Sequence, residues 1–286
     1  YKRQHDAGVS GHFPIQTLTQ YRVGLSQGLD IPLSVAEYQN DRGELEHAIL
    51  YPDIVLGSSP SGTNPRMKLW QQSAEVIKQH AQRDSLFLSW WDNAARVHFL
   101  TGQSTWPRLP ARDGFSGLPL QDFWGLAAGG FAKDPSSAIQ LAQWLVMDAD
   151  AAIKDIRKVL PHPASIYWLV CLDDLARLSE IERLSGVKVP LEMHSFPAGQ
   201  DLHAQIKSVR RWANEKGEGT NYLVQPIAGG GVRAWRVSEP SASNLLLIRL
   251  LPFSKSVETP LEGTRLVYQS NWGAYISVHE LLPTTP

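Results

Sequence analysis

The hydrophobic pattern of the chain centres on residues 85–93, where a short apolar run ends in two tryptophans and a carboxylate. A helical pattern follows over residues 94–100 and stops at Gly102. The segment therefore predicts a strand, a sheet edge and a helix in succession. Because open α/β sheets bind ligands at the carboxyl ends of their strands, we expect a site at this edge.

Upstream of this segment, the pattern predicts a hairpin and one helix. Strand-like alternation occurs at residues 21–25, 33–38 and 44–50. A turn over residues 40–43 joins the last two strands, because Asn, Asp and Gly favour turn geometry. Asn64 and Pro65 suit the cap and first position of a helix that runs to about residue 82. Its predicted apolar face consists of Met67, Trp70, Ala74 and Ile77.

Downstream of the segment, strands and helices alternate. A long helix is predicted over residues 138–159. Further strands are predicted at residues 164–171, 187–194 and 222–227, and further helices at residues 173–184 and 201–216. This alternation predicts a parallel or mixed sheet. The C-terminal part changes character and predicts an antiparallel meander, with strands at residues 231–237, 245–251, 265–269 and 274–279.

The predicted fold class is α/β: a mixed sheet flanked by helices, with an antiparallel C-terminal strand meander. Residues 1–14 are polar and form a predicted flexible N-terminal arm, and residues 15–286 form a single soluble domain. A subdivision near residue 134 is an alternative. Residues 102–133 are rich in Gly, Pro and aromatic side chains and are predicted to be a functional loop, because long irregular segments in compact domains usually are.

Composition excludes several classes of protein. The 286 residues are 43% hydrophobic and 19% charged, which is typical of a soluble globular protein. A net charge of −1 offers no basic field for nucleic acid or for an anionic membrane surface. The single cysteine, Cys171, excludes zinc-finger, iron–sulfur and CxxCH haem sites, and it is predicted to be a small core residue.

Trp90, Trp91 and Asp92 are the strongest candidates for a ligand site. Neighbouring side chains of a strand point to opposite faces, so one indole should enter the core and the other should line a cleft beside Asp92. The indoles offer a rigid contact surface, and the carboxylate can orient a hydroxyl, amine or amide donor. Trp106, beyond the short helix, could close over the same place. The alternative is a core tryptophan pair in which Asp92 caps the helix.

We expect Trp91, Asp92 and Trp106 to border one solvent-accessible cleft, roofed by residues 102–133. The roof is expected because this loop is too aromatic to face solvent along its whole length. A charged group beside two indoles is costly to bury without a partner, so the carboxylate should meet water and ligand or accept backbone N–H groups.

Weaker candidates lie further along the chain. His98 is a minor candidate, because it comes six residues after Asp92 and therefore misses the i+3/i+4 face of the helix. Asp173 and Asp174 follow a predicted buried strand, where α/β proteins often hold ligands. The alternative is that one of these two carboxylates caps the next helix and complements its dipole.

Glu192 and His194 share a strand face and could contribute to a metal site if a third ligand were near, but none is visible nearby in the sequence. The chain also lacks the Gly-x-Ser-x-Gly, HExxH and GxGxxG motifs. Hydrolase, metalloprotease and dinucleotide-binding interpretations therefore lack their usual support. No metal and no cofactor are predicted.

The Ser-Trp-Trp-Asp segment at residues 89–92, with Trp106 further on, resembles the WWDYG region of oligosaccharyltransferase catalytic subunits. In that family, the tryptophans and aspartate recognise the Ser or Thr of the acceptor sequon. The likeness departs at Asn93 and Ala94, which replace Tyr and Gly. It implies a peptide- or glycan-binding domain or enzyme with a WWD site, without the multi-span membrane domain that carries that family's metal and catalytic carboxylates.

The chain as a whole, with this segment and the following Thr101 and Gly102, resembles the hydroxylamine oxidation protein HaoB family. These proteins are encoded beside the multihaem hydroxylamine oxidoreductase in ammonia- and methane-oxidising bacteria. The resemblance implies a periplasmic accessory or binding protein that partners this oxidoreductase, with an inner-membrane anchor upstream of Tyr1. It implies no known reaction, and an enzyme that acts on a peptide or glycan through Asp92 is the alternative.

Overall fold

The computed structural model describes residues 11–24, 30–50, 65–107, 136–160, 165–198, 201–226 and 231–283. The chain divides into two compact units. The first unit consists of Tyr1–Ile54, Thr63–Ile139 and Pro163–Leu169. The second unit consists of Val55–Gly62, Gln140–His162 and Val170–Pro286.

An antiparallel sheet in the first unit contains, in order, β1 (Ile15–Gly24), β2 (Asp30–Gln39) and β3 (Leu45–Leu50). The predicted hairpin is confirmed, because β2 and β3 pair antiparallel around the predicted turn. Asn40 organises this turn: its Oδ1 accepts the backbone N–H groups of Arg42 and Glu44, each at 2.9 Å. Gly43 adopts φ +76°, which the absence of a Cβ allows.

A five-stranded sheet contains β4 (Leu86–Leu88), β5 (Ser104–Trp106), β6 (Ile166–Cys171), β10 (Thr264–Gln269) and β11 (Ile276–Leu281). Its order is β10-β11-β6-β4-β5. β4 pairs in parallel with both β5 and β6, whereas β10 and β11 pair antiparallel. The predicted α/β class, with a mixed sheet and antiparallel C-terminal strands, is therefore confirmed. β6 is buried along its whole length, and Cys171 is a core residue, as predicted.

The first unit contains the helices α1 (Pro65–His80) and α2 (Trp91–Thr101). The buried face of α1 includes the predicted residues Trp70, Ala74 and Ile77. α2 ends at Gly102, which adopts φ +75° and donates its backbone N–H to a carbonyl of the last turn at 2.8 Å. The predicted helix end is confirmed, but the helix begins at Trp91, three residues earlier than predicted.

Residues 138–159 do not form one helix. They belong to α3 (Ser136–Val146) and α4 (Ala149–Val159), which are separate. The prediction of a single long helix is wrong because Asp148 caps α4: its carboxylate accepts two backbone N–H groups of the first turn, at 3.1 and 3.3 Å. The hydrophobic periodicity of the sequence continues from α3 into α4 and therefore does not reveal the break. The new helix begins where Asp148 caps it.

A 3₁₀ helix, Leu172–Arg177, follows β6 and continues into α5 (Leu178–Ser185). The helix predicted over residues 173–184 is therefore confirmed, although its first part is 3₁₀. Helical structure thus begins directly at the carboxyl end of β6.

A small antiparallel sheet in the second unit contains β7 (Leu191–Phe196), β8 (Tyr222–Pro226) and β9 (Val232–Val237), in the order β7-β9-β8. α6 (Leu202–Asn214) connects β7 to β8, as the alternation predicts. The expectation that these strands continue a parallel or mixed sheet is wrong. β9, from later in the chain, lies between β7 and β8 and pairs antiparallel with each.

The short helices after β9 are a 3₁₀ helix (Pro240–Asn244), α7 (Leu246–Leu250), α8 (Ser254–Glu258) and α9 (Asn271–Ala274). The strand predicted over residues 245–251 is wrong, because this segment forms α7. A short continuous apolar run fits a buried helix as well as a buried strand, and α7 buries four of its five side chains. Within the described ranges, no helix is both long enough and apolar enough to cross a membrane.

Gly102→Ala should destabilise the protein more than Gly43→Ala. Gly102 has φ +75° and Gly43 has φ +76°, so both substitutions incur the strain of left-handed backbone, about 1–2 kcal/mol. A Cβ at Gly102 would also lie 2.6 Å from the His12 ring, whereas a Cβ at Gly43 would meet nothing within 4 Å. Urea unfolding of the two variants measures the difference in their free energies of unfolding.

His12→Ala in the Gly102→Ala background is the control for this prediction. Removal of the imidazole ring should recover the part of the loss that comes from the clash, and leave the part that comes from backbone strain. Equal losses for Gly102→Ala and Gly43→Ala would show that His12 does not pack over the end of α2.

Candidate functional site

The Trp-Trp-Asp segment leads from β4 into α2 in the interior of the first unit. Trp90 and Trp91 are each 1% exposed, and Asp92 is 2% exposed. Because α2 begins at Trp91, the tryptophans do not alternate along a strand, and both indoles enter the core. Asp92 Oδ1 accepts the backbone N–H of Asn93 at 2.9 Å, in the first turn, where the helix dipole favours a carboxylate.

The expectation that Trp91 and Asp92 border a solvent-accessible cleft is therefore wrong. The segment is instead a core tryptophan pair followed by a carboxylate at a helix start. Most of the predicted roof, residues 108–133, lies outside the described residues. A ligand-binding role for Trp90, Trp91 and Asp92 stays a prediction, and it would require these buried side chains to become exposed.

Trp106 lies beside this segment. β5 pairs in parallel with β4, and Trp106 is the register partner of Leu88. The backbone N–H of Ser89 donates to the carbonyl oxygen of Trp106 at 3.3 Å. The Trp106 side chain is half-buried. α2 therefore connects two neighbouring parallel strands, β4 and β5, of the five-stranded sheet.

Arg96 is a buried charge that the sequence pattern did not indicate. It is 1% exposed. Its Nη1 donates to Asn93 Oδ1 at 2.7 Å, and its Nε donates to the backbone oxygen of Ile49 at 3.1 Å. Its guanidinium carbon lies 4.5 Å from the centroid of the Trp70 ring, a cation–π contact. The i,i+3 spacing of Asn93 and Arg96 was the one local signal for this arrangement.

His98, a minor candidate from the sequence, lies at the centre of a polar network. Its Nδ1 is 2.7 Å from the backbone oxygen of Gln103, and its Nε2 is 3.1 Å from Glu46 Oε2. The Tyr38 hydroxyl donates to Glu46 Oε2 at 2.9 Å, and Asn40 Nδ2 donates to Glu46 Oε1 at 2.8 Å. We name these five residues the His98–Glu46 network. The sequence pattern missed Glu46 because it comes from a hairpin far from His98 in the chain.

Glu46 is the negative centre of the His98–Glu46 network. Partial burial tends to raise the pKa of its carboxyl group, but the hydrogen bond and charge of His98 lower it. Hydrogen bonds from Asn40 and Tyr38 lower it further. The balance lowers the pKa of Glu46 from 4.5 to about 2. The carboxylate is therefore ionised at neutral pH and accepts each of these hydrogen bonds.

The last residues of the predicted N-terminal arm pack against this network. Phe13 stacks on Tyr38, with ring centroids 5.1 Å apart, and its ring centroid is 5.2 Å from that of His98. The backbone N–H of His12 donates to a backbone oxygen of α2 at 2.9 Å. Residues 1–10 of the arm lie outside the described ranges.

The two weaker aspartate candidates have different environments. Asp174 is buried, and its Oδ2 accepts the backbone N–H of Cys171 at 2.9 Å, which fits the capping interpretation. Asp173 is half-buried. It accepts hydrogen bonds from the Tyr275 hydroxyl at 2.6 Å and from Gln225 Nε2 at 3.2 Å. Asp173 therefore faces polar side chains of β8 and of the segment that precedes β11.

Glu192 and His194 contribute to side-chain contacts across the small sheet. Glu192 Oε2 accepts Nε and Nη2 of Arg236 at 3.0 and 2.7 Å, and Lys216 Nζ is 3.1 Å from Oε1. Hydrogen bonds from Arg236 and Lys216 lower the pKa of Glu192. The His194 ring stacks on Trp212, with centroids 5.7 Å apart. In the described part of the chain, no three His, Cys, Asp or Glu side chains come together as a metal site would require.

Glu46→Gln should reduce the loss of stability at acidic pH. Because folding lowers the pKa of Glu46 from 4.5 to about 2, the folded state binds this proton less tightly than the unfolded chain. The stabilisation is present above about pH 5 and is lost as the pH falls towards about 2. A shift of this size corresponds to about 3 kcal/mol. Urea unfolding across this pH window should show that the free energy of unfolding depends less on pH in the variant than in the wild type.

Glu44→Gln is the matched control for this prediction. Glu44 belongs to the same hairpin, is exposed, and also accepts a hydrogen bond from Asn40. Its substitution changes the net charge by the same amount. The free energy of unfolding of this variant should depend on pH as it does in the wild type. If wild type and Glu46→Gln lose stability in parallel, the network does not stabilise an ionised Glu46.

Trp90→Ala should lower the free energy of unfolding by about 3–5 kcal/mol, because it removes a buried indole and leaves a cavity. Trp106→Ala should cost less, since the Trp106 side chain is half-buried. Denaturant unfolding of both variants measures the two costs. Similar costs would contradict the assignment of Trp90 to the core.

The family comparison covers nearly the whole chain. A family model described as HaoA-associated protein HaoB matches residues 2–281. The match extends over both compact units, so it does not depend on the Ser-Trp-Trp-Asp segment alone. The comparison with curated proteins finds no match. The resemblance found in the sequence is confirmed, and the chain belongs to the family of the HaoA-associated protein HaoB.

Proposed function

We propose that this protein is an accessory protein of hydroxylamine oxidation that binds the multihaem hydroxylamine oxidoreductase, HaoA, and catalyses no reaction itself. The observation that carries the proposal is the family match over residues 2–281, because the family is described by its association with HaoA. The match includes both units, which supports a role for the whole chain in this association.

The contacts of the candidate carboxylates support an accessory role. Glu46 accepts hydrogen bonds from Tyr38 and Asn40, and Glu192 is paired with Arg236. Asp92 is buried at a helix start. A catalytic carboxylate has to reach the proton or atom that it acts on, and these three groups are instead used within the fold.

The burial of the Trp-Trp-Asp segment weighs against acceptor recognition of the oligosaccharyltransferase kind. A peptide or glycan would have to contact Trp91 and Asp92, which are at most 2% exposed. The motif departs from that family at Asn93, and this side chain accepts a hydrogen bond from Arg96 in the core. The residues of this segment therefore have structural partners of their own.

An exposed edge strand offers a surface for HaoA. β10 is at one end of the five-stranded sheet and pairs with β11 on one side only, among the described strands. Its consecutive residues Leu266 and Val267 are 49% and 41% exposed. Exposed apolar side chains on an edge strand favour association with another chain. We therefore assign this edge to the contact with HaoA.

The purified full-length protein should form a complex with purified HaoA. The double variant Leu266→Ser and Val267→Ser should raise the Kd about tenfold or more, because it removes apolar contact area from the interface. Val257→Ser is the matched control: Val257 is an exposed valine of α8 in the same unit, and its substitution should leave the Kd unchanged. Biolayer interferometry with immobilised HaoA measures all three affinities.

Two results would contradict different parts of this proposal. If no complex forms between the full-length protein and HaoA, the accessory function is wrong. If the complex forms and the double variant binds as tightly as the wild type, the β10 edge is not the contact surface.

The proposal includes a location in the periplasm, at the inner membrane. It rests on the same family relationship. Fractionation of cells that express the complete gene product should recover the protein with inner membranes, and protease added to spheroplasts should digest it. Protection from the protease until the cells are lysed would contradict a periplasmic location.

A further inference from the structure

One face of the small sheet in the second unit carries polar atoms without hydrogen-bond partners among the described residues. β8 and β9 pair with Gln225 opposite Arg233, and Trp235 is two residues further along β9. Opposed residues share a face of a sheet, and so do residues two apart on one strand. Gln225, Arg233 and Trp235 therefore share one face. The other face contacts α6 through Arg236 and Trp212.

Three atoms on this face are buried and make no hydrogen bond within the described part of the chain: Gln225 Oε1, Arg233 Nε and Trp235 Nε1. Gln225 is 2% exposed and Trp235 is 8% exposed. A buried polar atom without a partner costs about 1–3 kcal/mol, so native proteins usually satisfy such atoms with a protein group, water or ligand. The face offers two donors and one acceptor at neighbouring positions.

Asp173 adds a negative charge to this group. It lies in the 3₁₀ helix that begins at the carboxyl end of β6, the position at which α/β sheets bind ligands. Its Oδ1 accepts Gln225 Nε2 at 3.2 Å, and its Oδ2 accepts the Tyr275 hydroxyl at 2.6 Å. Two carboxylate oxygens can accept further hydrogen bonds. We name Asp173, Gln225, Arg233 and Trp235 the β8–β9 cluster.

The backbone that presents Tyr275 to Asp173 has an uncommon conformation. Ala274 adopts φ +59°, which is rare for a residue with a Cβ, and it follows Gly273 at φ +70°. Such conformations persist where the surrounding structure imposes them, and they concentrate at functional sites. The position of the Tyr275 hydroxyl, and with it the orientation of the Asp173 carboxylate, is thus imposed at a cost in backbone energy.

Solvent reaches the edge of the β8–β9 cluster on the side of β7. β7 pairs with β9 so that Met193 lies opposite Trp235 and Ser195 lies opposite Arg233. Met193 and Ser195 are exposed. β7 is also an edge strand of its sheet, so a small molecule can approach Arg233 from this side.

We propose that the β8–β9 cluster binds a small zwitterion, an α-amino acid whose ammonium and carboxylate groups are both free. The Arg233 guanidinium and the Trp235 indole N–H donate to the ligand carboxylate, which is the anion that a guanidinium fork suits best. The ligand ammonium donates to Gln225 Oε1 and to the Asp173 carboxylate. The charges of the cluster cancel, so it matches a ligand with both charges better than a ligand with either one.

The experiment uses the full chain with ¹⁵N-labelled tryptophan, and glycine is the probe because it is the smallest α-amino acid. Trp235→Phe identifies the indole N–H signal of Trp235 by its loss. Glycine should shift this signal saturably and leave the indole signals of Trp90 and Trp144 unchanged, because both side chains are buried and neither belongs to the small sheet. Acetate and methylamine, each with one of the two charges, should cause no saturable shift at equal ionic strength.

Two further probes distinguish a free amino acid from the end of a peptide chain. N-acetylglycine has the carboxylate of a C-terminus without the ammonium, and glycinamide has the ammonium of an N-terminus without the carboxylate. Neither should shift the Trp235 signal saturably. If N-acetylglycine or acetate shifts it as strongly as glycine, the cluster recognises a carboxylate alone and the proposal is wrong.

Variants of the two charged residues provide a second test. Arg233→Gln and Asp173→Asn should each weaken glycine binding about tenfold or more, because each removes one charge partner of the ligand. Arg233→Lys retains the charge without the fork and should have an intermediate effect. Arg265→Gln, which removes an arginine paired with Glu280 on another sheet, is the matched control and should bind glycine as the wild type does.

Two further outcomes overturn the proposal: the absence of a saturable glycine shift in the wild type, or an unchanged affinity in Arg233→Gln. The unaltered indole signals of the other tryptophans verify that each variant is folded. None of these measurements involves HaoA, so the inference fails or holds independently of the proposed accessory function.

Discussion

The buried guanidinium of Arg96 is the constraint on which the packing of the first unit depends. A charge in a protein interior is costly unless the surrounding groups compensate it. Arg96 donates to Asn93 of its own helix and to the Ile49 carbonyl at the end of β3, and its guanidinium lies over the Trp70 ring of α1. Because these partners come from three elements, the requirements of one side chain determine how α1, α2 and β3 approach each other.

The two units use their polar side chains differently. In the His98–Glu46 network, both oxygens of Glu46 accept hydrogen bonds from side chains of the same unit, and the network stabilises the packing of Phe13 on Tyr38. On the small sheet, Gln225 and Arg233 present buried atoms that no described residue satisfies. The first arrangement maintains the fold. The second is the arrangement for which we propose the recognition of a small molecule.

The sequence alone determined the features whose physical causes are local. The turn that joins β2 and β3 follows from Asn40 and Gly43, because the amide side chain and the missing Cβ act within four residues. The end of α2 follows from Gly102 for the same reason. The α/β class follows from periodicity, and family membership follows from the whole pattern.

Only the tertiary structure decided features that depend on contacts distant in sequence. The break between α3 and α4 lies where the carbonyl oxygen of Met147 accepts the backbone N–H of Leu246 at 2.9 Å, and β9 comes between β7 and β8 because strand order is determined by pairing. The segment around Asp92 is another feature that the sequence pattern could not predict. The alternation of a strand predicted an accessible carboxylate, but α2 begins at Trp91, Asn93 accepts a hydrogen bond from Arg96 within the helix, and the segment is buried. Local pattern specifies each element, whereas the burial of a charge or an indole depends on the elements that meet around it.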